Sequence, residues 1–465
     1  MNVKQKQTRS ESMRTLKIEG DLLTPISIFK RLKGRKKCLL ESSLKHLESG
    51  RYSFIGLNPY KQIFSFGDQT TVKSNLKEEK VEGKALNILK EQLPEMNIKG
   101  SFPFYSGAVG FIGYDVIRQH EFIGPDKENE TAIPDLHFLF YQDIIVFDHI
   151  SQEVHIVCTS QDGRRTKEDL ENELHAIKKM VATPEEEDEA VSSPIEFVPE
   201  INKKEFEQRV QKAKEHIVNG DIFQVVLSQR LSGKFNGNAF ALYRKLRKTN
   251  PSPYMFYLDF EDYVVLGSSP ESFIKLKDSK LTTNPIAGTR PRGETREKDA
   301  LLEKELLNDE KEIAEHKMLV DLGRNDIGRV CEVGSIKIPK FMAIERYKYV
   351  MHIVSEVSGT LKNDLSGVDA LISCLPAGTV SGAPKIRAMQ IINDLEDTKR
   401  GVYSGAIGYI NANGDMDFAL TIRTMVVKDQ KAYVQAGAGI VYDSNPESEY
   451  QETLNKAKAL LEVAK

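Results

Sequence analysis

The residues best suited to chemistry lie near the end of the chain. The run Gln435-Ala-Gly-Ala-Gly-Ile-Val441 is followed at once by Pro446-Glu-Ser-Glu-Tyr-Gln-Glu452. In a strand, residues two apart share a face, so Gly437 and Gly439 leave a bare patch of backbone around Ala438. A ligand can come close enough there to meet main-chain N–H groups. In the helix expected next, Glu449 and Glu452 are three apart, so both carboxylates face one way. Backbone open to an anion, beside paired carboxylates open to a hard cation, describes a site for a small carboxylated substrate bridged to Mg²⁺.

A second carboxylate pair, Glu312 and Glu315, lies in a helical pattern running from Glu297 to Leu322. Either pair alone also suits a solvated helix face. Together, beside glycine-rich strands, they favour a cation. Mg²⁺ takes one or two protein carboxylates plus substrate and water oxygens. Glu315 and Glu452 are therefore expected as direct ligands, with Glu312 and Glu449 acting through water. The turn Pro376-Ala-Gly-Thr-Val-Ser-Gly-Ala-Pro-Lys385 opens a helix with an apolar face of Ile386, Met389, Ile392 and Leu395. It fails the Walker A spacing, because Ala383 stands where that motif needs its second glycine. Hydroxyl and amide donors at a helix start serve a carboxylate equally well. Arg423 falls inside a strand pattern, Phe418-Ala-Leu-Thr-Ile-Arg423-Thr, as an edge residue or as a clamp on a substrate carboxylate. His352 is flanked by apolar residues, a setting more usual for a packed core histidine than for a catalyst.

These residues need a large scaffold. The 465 residues suffice for two or three domains, with 29% charged and a net charge of −3, so no general attraction to nucleic acid or anionic membrane is expected. No run of about 18 apolar residues suggests a membrane span. The polar start, Met1 to Arg14, has no apolar signal region, and the four scattered cysteines form no CxxC pair; both suit a cytoplasmic chain with reduced thiols. Residues 15–181 alternate strands and turns, with buried strands expected at Gly107–Tyr114 and Ile144–Phe147 and a helix from Glu168 to Met180. Residues 183–194, acidic and bracketed by prolines, read as a linker or loop. Residues 195–465 open with an amphipathic helix ended by Gly220 and carry nearly all the motifs. The alternation supports a large α+β fold.

The motifs are collinear with a known family. Leu39-Leu-Glu-Ser42, Asn250-Pro-Ser-Pro-Tyr-Met-Phe256, Ser269-Pro-Glu271, Pro285-Ile-Ala-Gly-Thr-Arg290, the stretch Glu315 to Asp326, Pro376 to Lys385 and the closing Gln435 to Lys456 resemble the chorismate-utilising enzymes, and within them the anthranilate synthase component I family. The resemblance runs from about residue 15 to the end. It implies a large, mostly antiparallel β-sandwich with outer helices and a substrate cleft. It implies that Glu271 protonates the departing C4 hydroxyl of chorismate and that His352 assists later steps. Thr289, Thr379, Tyr403, Arg423, Gly437, Ala438 and Gly439 would bind substrate, with Lys456 near the same carboxylate. Glu315 and Glu452 would hold Mg²⁺, with Glu312 and Glu449 close by. Chorismate is a dianion, so these cationic and N–H groups suit it.

Two positions choose among relatives. Members that hydrate chorismate carry lysine where this chain has Gln224, and a glutamine cannot act as a base. Ammonia needs none. Ala287 stands where many aminodeoxychorismate synthases carry lysine, which favours attack at C2 and loss of pyruvate; the folate-pathway enzyme is the alternative. No cysteine sits at the glycine-flanked turn of a glutaminase. The family supplies ammonia from a separate glutamine amidotransferase, giving an expected hetero-tetramer of two large and two small subunits. The resemblance also implies feedback inhibition, with Glu41, Ser42, Pro253, Tyr254 and Met255 forming a pocket for tryptophan. Tyr254 and Met255 offer faces to an indole, and Glu41 and Ser42 offer polar groups to its ammonium.

Overall fold

The computed structural model describes residues 12–43, 50–94, 100–184, 194–347 and 350–464. Most of the expected linker, residues 185–193, and residues 1–11 of the polar start lie outside the described residues. Two twelve-stranded sheets form the scaffold, and their ladders are antiparallel. The first runs, in spatial order, through Met13–Glu19, Glu153–Thr159, Asp143–Asp148, Tyr52–Gly56, Cys38–Glu41, Tyr254–Asp259, Tyr263–Ser269, Thr424–Lys428, Lys431–Ile440, Gln224–Lys234 and Val198–Pro199, with the short Gly382–Ala383 also paired to Gln224–Lys234 as the twelfth. Both regions of the sequence contribute to it, and they meet where Cys38–Glu41 pairs with Tyr254–Asp259. In the second sheet they meet where Gly107–Ile112 pairs with Ala406–Asn411.

The strands are apolar on both faces because both faces are covered. From Asp143–Asp148, Ile144 and Val146 enter a core between the sheets with Val109, Phe111, Leu139 and Phe256. Their neighbours Ile145 and Phe147 point outward and pack under the helices Pro25–Arg31, Lys167–Ala182, Ala239–Thr249 and Pro446–Val463. The second sheet has its own outer layer, with Leu86 and Leu89 of Ala85–Gln92, Val320 and Ile327 of Glu310–Gly328, and Leu371 of Gly367–Cys374. Burial of both faces gives continuous apolar runs rather than alternation. All four cysteines are buried and unbridged.

Local departures from the sequence reading have clear causes. The helical pattern 297–322 is two helices, Arg296–Leu306 and Glu310–Gly328. Asp309 breaks it, because its carboxylate caps the second helix by accepting from the N–H groups of Lys311 and Glu312. In the helix Lys385–Leu395, Met389, Ile392 and Leu395 are buried as expected, but Ile386 is 38% exposed. Ala388 and Ile391 complete that face instead.

Candidate active site

Two chain crossings between the sheets lie side by side. The chain leaves Tyr263–Ser269 in the first sheet and enters Ser272–Lys277 in the second through Pro270 and Glu271. It returns from Met416–Leu420 to Thr424–Lys428 through Thr421, Ile422 and Arg423. The crossings are stitched together: Leu420 N–H donates to the Glu271 carbonyl at 3.0 Å, and Ser268 N–H to the Arg423 carbonyl at 3.1 Å. Arg423 is thus not a strand residue. It occupies a bend with φ +48°, because the backbone must reverse between sheets. Its guanidinium is mostly enclosed and has no hydrogen-bonded partner among the described residues. Burial pulls its pKa down, and the nearby Glu271 opposes this. An enclosed cation of this kind suits an incoming anion.

Glu271 carries the largest catalytic signal. Burial pushes its carboxyl up to about 7, against the opposing pull of the Thr379 hydroxyl, Lys456 and Arg423. Thr379 Oγ1 donates to Glu271 Oε1 at 2.9 Å. A carboxyl balanced near neutrality can hold a proton and release it.

His352 is half-buried on the strand Val350–Thr360. Its Nδ1 lies 3.0 Å from the Gly288 carbonyl and 3.0 Å from Thr289 Oγ1. The carbonyl can only accept, so Nδ1 carries the proton and Nε2 keeps its lone pair. Burial lowers the His352 pKa, with Arg423 contributing in the same direction. A bulge between Ala287 and Thr289 aims these partners at the ring. The bulge needs Gly288, at φ +69°, where a Cβ would lie 3.0 Å from Leu306 and 3.2 Å from Glu312. The core-histidine role falls instead to His316, whose Nε2 lies 2.6 Å from Ser355 Oγ.

The glycine strand closes the site. Lys431–Ile440 pairs with Gln224–Lys234 along its length, but with Thr424–Lys428 only as far as Val434. Beyond that, one edge is open. Gly437 and Gly439 direct their N–H and C=O groups to that edge, since Gly437 C=O accepts from Lys456 Nζ at 3.0 Å. A Cβ on Gly437 would meet the Tyr403 hydroxyl at 2.6 Å, and one on Gly439 the Gln224 amide at 2.7 Å. Ala438 points the other way, into the core beneath the helices Lys203–Val218 and Lys385–Leu395, so it can serve a ligand only through its backbone position.

The carboxylates lie at the same mouth. Gln224 Nε2 donates to Glu315 Oε1 at 3.2 Å, and Lys456 pairs with Glu452 at 2.7 Å. Burial and the charge of Glu315 push Glu312 up, while Arg290 opposes this from 3.4 Å. Burial and Glu452 push Glu449 up, and Lys311 of the other helix is close enough to act on it. Among the described residues no three His, Cys, Asp or Glu groups gather into a ready metal cage. The donor set fits Mg²⁺ nonetheless, since like-charged carboxylates relieved by a cation, with few protein ligands and room for substrate oxygens, match its habits.

Glu41, Ser42, Pro253, Tyr254 and Met255 meet at one cavity between the sheets, away from Glu271. Glu41 lines the cavity already paired. Glu41 is taken by a two-pronged pair with Arg247, at 2.8 and 3.0 Å, and by the Tyr243 hydroxyl at 2.7 Å. It is not a bare partner for an ammonium. Sequence reasoning missed Asp417, which lines the same cavity, accepts from the Tyr254 hydroxyl at 3.0 Å and lies 3.3 Å from Lys275. It also missed Arg400, fully buried, which pairs with Glu396 at 2.7 Å, donates to the carbonyls of Val226 and Val380, and lies under the Tyr403 ring. The only signal in the sequence was the spacing of four between Glu396 and Arg400.

The fold and site define a protein class. A family model described as chorismate binding enzyme matches residues 36–462, and the chain belongs to that family. It is 47% identical to anthranilate synthase component 1 of Lactococcus lactis over 97% of this chain and 100% of that protein. It is 42% identical to the protein of the same name from Aquifex aeolicus, covering 98% and 95%. Among solved structures it superposes on anthranilate synthase component I of Streptococcus pneumoniae with a TM-score of 0.84, at 46% identity over 96% of this chain and 98% of that one. The menaquinone-specific isochorismate synthase of Escherichia coli shares the fold, with a TM-score of 0.75 at 19% identity.

Proposed function

We propose that this chain is the ammonia-using large subunit of an anthranilate synthase, converting chorismate and ammonia to anthranilate, pyruvate and water. The single observation that carries the reading is Glu271, a buried acid tuned to about 7 that feels the enclosed cation Arg423 and the more exposed Lys456. One substrate carboxylate sits against Arg423 and the open N–H groups of Gly437 and Gly439. Glu315 and Glu452 would hold Mg²⁺, with Glu312 and Glu449 behind them, and the ion would supply positive charge to the other substrate carboxylate. In the unliganded chain Lys456 pairs with Glu452 and Gln224 donates to Glu315, contacts that these carboxylates would exchange on taking the ion.

The steps use the chain's own groups. Ammonia attacks C2, the ring double bonds shift, and the C4–O bond breaks as Glu271 gives its proton, so the hydroxyl leaves as water. Thr379 holds the resulting carboxylate. The ammonium nitrogen gives up a proton, the proton on C2 is then removed, and the C3–O bond breaks with its electron pair leaving on enolpyruvate, which takes a proton at its methylene carbon to become pyruvate as the ring becomes aromatic. His352, with a free lone pair on Nε2, is placed for this second stage. Gln224 supports the use of ammonia, since no base for water stands there. The folate-pathway alternative, amination at C4 without loss of pyruvate, is disfavoured by Ala287.

The partner is a glutamine amidotransferase, because the four buried thiols offer no nucleophile. Burial is the main cause that pushes them up, Cys38 to about 12. The complex is a hetero-tetramer of two large and two small subunits, working in the cytoplasm. The cavity at Ser42 and Tyr254 takes tryptophan, with Glu41 and Asp417, which both line it, as the acids available to its ammonium. The purified chain should make product with ammonium and none with glutamine. Glutamine use by the pure chain would overturn the partner assignment.

A further inference from the structure

Arg400 is charged and enclosed, yet the reaction steps give it no part. Only 1% of its side chain is exposed, against 9% for its partner Glu396. Nε and Nη2 donate to the two Glu396 oxygens at 2.8 and 2.7 Å. Nη2 also donates to the Val226 carbonyl and Nη1 to the Val380 carbonyl, both at 2.7 Å, and Ser404 Oγ accepts from Nη1 at 3.3 Å. Every N–H of the fork is thereby spent. The guanidinium carbon lies 5.6 Å from the centre of the Tyr403 ring and 4.9 Å from that of Tyr114.

These contacts fall beside three side chains of the site. Val226 comes two residues after Gln224, Val380 follows Thr379, and the Tyr403 ring is touched directly. Val226 and Ser228 stand opposite Gly439 and Gly437 in the ladder. Their other edge is held from behind. Val226 N–H donates to the Ser381 carbonyl at 2.9 Å, and Ser228 donates to Glu396 Oε1 from its N–H at 2.8 Å and its hydroxyl at 2.9 Å. One ion pair thus joins the strand Gln224–Lys234, the turn Gly378–Val380 and the loop that carries Tyr403. A lysine would still pair with Glu396, but only a planar fork reaches the carboxylate and both carbonyls at once.

We propose, resting on the reading of the site given above, that Arg400, locked by Glu396, is a positioning residue that fixes Gln224, Thr379 and Tyr403 in one arrangement around the substrate. A misplacement of about 1 Å in such a site costs about 10²-fold in rate. The route to the acid is specific. Of the groups that act on the Glu271 carboxyl, namely Thr379, Lys456 and Arg423, only Thr379 adjoins a residue that Arg400 holds. Release of the Val380 carbonyl takes the aim of Thr379 off Glu271 Oε1.

Arg400→Lys keeps the charge beside Glu396 and loses the fork. Glu396→Asp, the second variant, keeps both charges and draws the guanidinium back from the carbonyls. Each should lower kcat of the ammonium-dependent reaction by about 10–10²-fold, with a smaller change in KM for chorismate. Each should also move the Glu271 limb of the pH profile upward, in the direction expected of Thr379→Val. Adding Arg400→Lys to Thr379→Val should move the limb no further, because both act through one hydroxyl. A purely structural arginine would lower the yield of folded protein and leave the limb in place. An unmoved limb in either folded variant, or shifts that add in the double variant, would overturn the proposal. The same proton is followed without turnover through the infrared carboxyl band that disappears in Glu271→Gln. If the chain makes no anthranilate, the proposed function fails, while the infrared titration of the same variants still decides the role of Arg400.

Discussion

Thr379 Oγ1 donates to Glu271 Oε1 at 2.9 Å, from the loop after Pro376 to a carboxyl at the crossing between sheets. The bond favours the charged form while burial favours the neutral one, and the balance lies near 7. Glu271 is thus protonated at acid pH and loses its proton as pH rises through about 7. With rates expressed per free NH₃, activity should decline along that limb. Thr379→Val removes a bond that lowers the pKa, so the limb should move to higher pH. A limb unmoved in Thr379→Val would detach Glu271 from the profile.

Replacing the acid separates activity from stability. Glu271→Gln should lower kcat by about 10²–10⁴-fold, as loss of a positioned proton donor does, with KM for chorismate little changed. The linkage sign is definite. An unfolded carboxyl near 4.5 and a folded one near 7 mean that the folded state binds more protons in between, so stability falls as pH rises from about 4.5 to 7. The variant escapes that loss and should be more stable at pH 8, by roughly 3 kcal/mol. Thermal unfolding at pH 5 and pH 8 reads the difference, and equal pH responses of the two proteins would contradict it.

The metal assignment predicts coupled losses. Glu452→Gln removes one charge from the proposed Mg²⁺ site and frees Lys456 from its 2.7 Å pair. Half-saturation by Mg²⁺ should rise about tenfold or more, the scale of losing one charged ligand contact, and KM for chorismate should rise with it. Wild-type activity in limiting Mg²⁺ would remove Glu452 from the site.

The nucleophile is tested at Gln224. Lysine there would meet Glu315, which now accepts from the Gln224 amide at 3.2 Å. Gln224→Lys should lose amination and divert part of the chorismate to a hydroxylated product, read by chromatography. Unchanged anthranilate formation would show that the position does not select the nucleophile.

Regulation is tested at Ser42, which is 8% exposed and lines the inter-sheet cavity. Arginine there would fill the space. Ser42→Arg should abolish inhibition by tryptophan and leave catalysis largely intact. A tryptophan titration at fixed chorismate decides it, and equal sensitivity of both proteins would overturn the pocket.

Much of the site was legible because its residues repeat at element spacing. Glu449 with Glu452 and Gly437 with Gly439 could be read as one helix face and one strand face, and they occupy them. The antiparallel sandwich was not legible from periodicity, because Ile144 to Phe147 is buried on both faces and does not alternate. It came from the resemblance, and the two sheets agree with it. Arg423 was misread because its strand ends at Leu420, and a crossing between sheets leaves no period in the sequence. Asp417 and the partners of Glu41 were missed for a related reason. Tyr243 and Arg247 approach Glu41 from about two hundred positions away, and no local pattern encodes a contact at that range.

The central claim is the reaction, and its products test it most directly. Purified chain would be incubated with chorismate, Mg²⁺ and ammonium, and all products identified and counted. The predicted result is anthranilate and pyruvate in equal amounts. A 4-amino-4-deoxy product without pyruvate, a hydrated isomer of chorismate, or unconsumed chorismate would contradict it.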